Sequence, residues 1–70
     1  MDAAGYERDM KAHVGKKAFI NQTEFCEYVG CGKAAARDLL RDVPFLRTGR
    51  ERRYLIKDVA RTLHGKETLV

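Results

Sequence analysis

Any chemistry in this sequence is built around its arginines. Between Lys33 and Arg61 stand nine basic residues, seven of them arginine, against four acidic ones (Asp38, Asp42, Glu51 and Asp58), a local net charge of +5. The first 32 residues carry four basic and five acidic side chains. The whole-chain net charge of +4, with a pI near 9.3, is therefore gathered into one half. A guanidinium fork matches phosphate oxygens and guanine edges better than an ammonium does. Clustering of this kind points to a polyanionic partner.

Spacing divides these residues into two groups. Lys33, Arg37 and Arg41 recur every four positions, which places them on one face if the segment is helical. Ala34 and Ala35 lie between them and are small enough for close approach to base edges or a thymine methyl group. Arg50, Arg52 and Arg53 follow Gly49 at the expected tip of a hairpin, where an arginine-rich ribbon suits a minor groove or a phosphate backbone. Double-stranded DNA is the expected partner, provided that the two groups lie on one side of the molecule about a groove's width apart.

Other chemistries find no residues to carry them. Cys26 and Cys31 are five apart and His13 and His64 are remote, whereas zinc sites want tighter pairs. Two cysteines make no disulfide framework. No Ser/His/Asp or Cys/His set sits in a recognisable motif, and Gly30-Cys31-Gly32 joins two helices rather than a strand to a helix, so it is no phosphate loop. No catalysis, metal or cofactor is expected. The aromatic residues Tyr6, Phe19, Phe25, Tyr28, Phe45 and Tyr54 fall mostly at apolar positions, which makes them core rather than a stacking platform for single strands. The polar start lacks the apolar stretch of a signal peptide, and no run approaches the ~20 apolar residues of a membrane span. A reducing cytoplasm is the expected compartment.

The elements that must position the arginines can be read in order. Tyr6, Met10 and Val14 recur at spacing four, so residues 1–17 are either a frayed tail or a short helix with one apolar stripe. Gly15-Lys16-Lys17 reads as a hinge. Ala18-Phe19-Ile20 is a short strand. Asn21 followed three residues later by Glu24 is a capping-box signature that starts a helix. Phe25, Tyr28 and Val29 form its apolar face, and Gly30 ends it. A second helix begins at Lys33 with Ala36, Leu39, Leu40 and Val43 as its buried side, and Pro44 closes it. Phe45–Thr48 and Arg53–Ile56 read as the strands of a hairpin with Gly49–Arg52 as the connection. Its alternation puts Arg53 and Leu55 on one face and Tyr54 and Ile56 on the other, without choosing which packs inward. A last helix with Val59, Ala60 and Leu63 inside is expected to stop at Gly65 and leave residues 66–70 as a tail. The fold class is thus mostly helical with a small β hairpin, in one domain over residues 18–65.

Residues Phe19 to Leu63 resemble the MerR-type winged helix-turn-helix shared by small phage and transposon excisionases. The resemblance is carried by Phe-Ile-Asn-Gln-Thr-Glu at 19–24, Tyr-Val-Gly-Cys-Gly-Lys at 28–33 and Gly-Arg-Glu-Arg-Arg-Tyr-Leu-Ile at 49–56. It implies a first helix at Asn21–Val29, a recognition helix at Lys33–Asp42 and a wing at Phe45–Ile56. It further implies a recombination directionality factor that binds duplex DNA, with copies side by side and an integrase as partner. Gly32 stands where the family often has Ser or Thr, which implies modest sequence readout. The long coiled-coil helix of full MerR regulators is not present in this sequence. A small transcriptional regulator using the same surface, and an antirepressor-like interaction module that kept the fold, are the alternatives.

Overall fold

The computed structural model describes residues 2–67. Its elements are α1 (Ala3–His13), β1 (Phe19–Asn21), α2 (Gln22–Val29), α3 (Lys33–Leu39), β2 (Phe45–Thr48), β3 (Glu51–Leu55) and α4 (Ile56–Glu67). The architecture is mostly helical with a small antiparallel sheet, ordered β1-β3-β2. The expected hairpin is therefore larger by one strand. β1 pairs with β3 through Phe19 opposite Leu55, Ile20 opposite Tyr54 and Asn21 opposite Arg53.

Local signals start and stop the helices. Asn21 caps α2 reciprocally: its Oδ1 accepts the Glu24 N–H at 2.8 Å, and Glu24 Oε1 accepts the Asn21 N–H at 3.1 Å. Asn21 thus stands just outside the helix, which begins at Gln22, one residue later than the resemblance implies. Gly30 ends α2 with φ 79°, a left-handed angle that a side chain disfavours. α3 begins at Lys33 after Gly32, which has no side chain to cap it.

The core explains where the expected boundaries shift. Met10, Ile20, Phe25, Ala36, Ile56, Val59 and Ala60 are buried, joined by Val14, Leu40, Val43 and Tyr54. Residues 3–13 take the helical of the two alternatives, because Met10 and Val14 bury against α4 in this same core. Tyr28 bridges α1 and α2: its hydroxyl donates to Asp9 at 2.8 Å, and its ring meets His13 edge-on at 5.7 Å. Partial burial and then that hydrogen bond push the Tyr28 phenol up to about 12. Val29, expected on the apolar face of α2, is exposed instead, since Phe25 and Tyr28 already fill the contact.

α3 ends at Leu39, not at Asp42. Leu40 and Val43 must both turn inward, and the Val43 N–H closes a tight turn on the Leu40 carbonyl at 3.1 Å before Pro44. The hairpin connection is two residues, Gly49-Arg50, rather than four. Thr48 pairs with Glu51 and Arg47 with Arg52, so Glu51 and Arg52 belong to β3. Gly49 has φ 63° at the first position of the turn, where a type II′ connection wants glycine. α4 begins at Ile56 and runs through Gly65 to Glu67, so Lys66 and Glu67 are helical rather than tail, and residues 68–70 of the expected tail lie outside the described residues. The Tyr6 hydroxyl donates to Glu67, which ties this last turn to α1. No helix among the described residues is long and apolar enough to cross a membrane.

Candidate nucleic-acid interface

The pairing register decides which way each hairpin side chain points. Tyr54 is buried against the core, and Phe45, Arg47 and Arg52 share its face by the two-residue alternation. Leu46, Thr48, Glu51 and Arg53 take the other face, although Glu51, at the tip, still borders the space beside α3. The alternation left open by the sequence is thus resolved with Tyr54 inward. Arg52 and Arg53 are consecutive in the chain and project to opposite sides.

The inward face leads Arg52 toward α3. Its guanidinium lies 4.7 Å from the centre of the Phe45 ring, and that ring packs at a tilt against Tyr54, centroids 5.9 Å apart. Phe45 is 47% exposed. Its position is explained by this stack: the core holds Tyr54, Tyr54 holds Phe45, and Phe45 carries the cation. A cation over an aromatic face at an exposed site is worth about 0.5–1 kcal/mol, enough to bias one rotamer.

Lys33, Arg37, Arg50 and Arg52 line one open cleft of about 340 Å³ between α3 and the hairpin tip, together with Asn21, Gln22, Thr23 and Glu51. Lys33 and Arg37 stand one helical turn apart on α3, both exposed, at the edge of the face that buries Ala36. Ala34 and Ala35 are exposed on the same short helix. Four of the expected basic residues therefore converge from two parts of the fold, on one side of the molecule.

Two of the expected basic residues, and Ala34 and Ala35, do not line this cleft. Arg41 lies past the end of α3 and pairs with Asp38; both side chains are largely exposed. Arg41, in the turn after Leu39, does not line the cleft. Arg41, Ala34, Arg37 and Asp38 border a second, shallower hollow. Arg53 is held on the outer face, its guanidinium 3.0 Å from Glu51 and its Nε donating to Thr48 Oγ1 at 3.1 Å.

Residues that the sequence does not mark as contacts also enter the site. Asn21 reads as a cap, Phe45 as core at the start of the hairpin, Gln22 and Thr23 as the start of the first helix, and Glu51 as part of the hairpin connection. The α2 start reaches the cleft because β1 sits beside β3, a pairing no local pattern announces. Arg47 faces Arg52 directly across the hairpin. Like charges in that relation are destabilising.

Among the described residues no three His, Cys, Asp or Glu side chains gather as a metal site. Cys26 and Cys31 are free thiols packed at the edge of the core. No protein-family model, no curated protein and no solved structure matches the chain.

Proposed function

We propose that this protein is a winged helix-turn-helix that binds duplex DNA, with α3 entering the major groove and the β2–β3 hairpin set against the adjoining backbone or minor groove. The reading rests on the convergence of Lys33, Arg37, Arg50 and Arg52 around one cleft. A major groove admits an α-helix, and its bases are read by short side chains and guanidinium forks. Exposed Ala34 and Ala35 leave room for that approach. The like-charged pair Arg47 and Arg52, which costs stability in the free protein, is what an anion-binding ribbon is built to carry.

The likeness of residues 19–63 to excisionases extends the proposal to a role. The protein acts as a recombination directionality factor, binding in several copies beside an integrase and promoting excision.

Fluorescence anisotropy with short duplexes at several salt concentrations tests the binding. Lys33→Ala, Arg37→Ala, Arg50→Ala and Arg52→Ala are each expected to weaken affinity. Each change at a phosphate contact lowers the slope of log K against log salt by about 1. Affinity that stays at the non-specific level of ~10⁻⁴ to 10⁻⁶ M for every duplex selected from a random pool overturns the proposal. Regularly spaced repeats among selected duplexes support side-by-side binding.

A further inference from the structure

The two walls of the cleft share one core, with Ala36 and Leu40 behind α3 and Tyr54 behind β3, but the hairpin tip extends beyond it. α3 packs on α2, whereas β3 packs on β1, β2 and α4. Something must set the distance between the basic face of α3 and the hairpin tip. The side chain placed to do so is Asn21, the last residue of β1 and the cap of α2. Its Oδ1 is committed to the Glu24 N–H. That commitment turns Nδ2 toward the hairpin, where it donates to Glu51 Oε1 at 2.9 Å. The other Glu51 oxygen pairs with Arg53, and Arg53 reaches Thr48 at the end of β2. The start of α2 is thereby tied to both strands at the tip.

Resting on the duplex-binding reading above, we infer that Glu51 is a positioning residue, which fixes the separation of Arg50 and Arg52 from Lys33 and Arg37 by latching the hairpin to Asn21. Its charge makes the case sharper. A carboxylate lining a cleft for phosphate repels the ligand, so on electrostatics alone its removal tightens binding. The latch assigns the opposite sign. Both oxygens of Glu51 are taken by neighbours, and the side chain is partly buried. The carboxylate is therefore held where its repulsion would otherwise select against it.

Two variants separate the effects. Glu51→Gln keeps an oxygen for the Asn21 amide and removes the charge. Glu51→Ala removes both. Glu51→Ala is expected to weaken duplex affinity about fivefold, the factor carried by one net hydrogen bond, while Glu51→Gln matches or exceeds the wild type. Amide hydrogen exchange of the free protein is measured on the same variants. Glu51→Ala is expected to speed exchange at residues 49–52 and to leave α1 and α4 unchanged.

The inference is overturned if Glu51→Ala binds as tightly as the wild type. It is also overturned if exchange at the tip does not change, or rises equally throughout the chain. Should the wild type bind no duplex, the DNA reading falls by itself, and the exchange data alone decide the latch.

Discussion

Lys33 and Arg37 stand on a helix anchored beside them by the buried Ala36; Arg50 and Arg52 stand on a two-residue turn and the strand after it. The helix wall is fixed from behind, by the core. The hairpin wall projects and must be fixed from the side, by the ring of Phe45 and the Asn21–Glu51 hydrogen bond. A groove-binding surface assembled this way owes one half of its geometry to apolar packing and the other half to a few polar and aromatic contacts at the surface. Each half should then fail under a different kind of mutation.

The largest effect is expected at the helix wall. Phe25 is wholly buried on α2, beneath the α2–α3 unit. Phe25→Ala removes a ring and leaves a cavity, at about 3–5 kcal/mol. A chain of this size has only about 4–10 kcal/mol of total stability. The variant is expected to lose most of its folded population, read as a large drop in thermal midpoint by circular dichroism. Retention of most of the wild-type stability would show that the helix wall does not depend on this core.

The sequence revealed the helix wall more fully than the hairpin wall, and the reason is physical. The Asn21/Glu24 cap, the Gly30 stop and the Ala36/Leu40 stripe are local patterns, complete within a few residues. Pro44 marked the right break but not the helix end, because Leu40 and Val43 turn inward for a core formed by remote elements. Glu51 and Arg52 look like loop residues, since polar side chains beside Gly49 give no sign of their partners in β2. The Asn21–Glu51 contact joins residues 30 apart and depends on β1 settling beside β3. The Tyr6/Met10/Val14 stripe leaves the first seventeen residues open between tail and helix, because α4, on which α1 packs, lies at the far end of the chain.

A middle effect belongs to Phe45. Its half-exposed ring contributes little to the core, and its loss removes the shelf under Arg52. Phe45→Ala is expected to lower duplex affinity by about two- to fivefold, the equivalent of a surface cation–π contact. Phe45→Trp should retain it. In the Arg52→Ala background, Phe45→Ala should cost nothing more, because the pair acts through one contact. Equal losses in both backgrounds, measured by anisotropy, would mean that Phe45 meets the nucleic acid directly or holds the whole hairpin.

The smallest effect is the most discriminating. Arg53 is the neighbour of Arg52 in sequence, equal in charge, and expected from composition to serve the same surface. The pleat places it on the outer face, against Glu51 and Thr48. Exposed pairs of this kind contribute at most about 1 kcal/mol to stability. Glu51 keeps its hydrogen bond from Asn21 when Arg53 is removed, so the latch survives. Arg53→Ala is therefore expected to change duplex affinity by less than about twofold and to leave the salt slope intact, whereas Arg52→Ala lowers the slope by about 1. The two variants share the same change in net charge, so any difference between them reports direction rather than charge. If Arg53→Ala weakens binding as much as Arg52→Ala, the nucleic acid wraps the outer face of the sheet, and the cleft is not the principal contact.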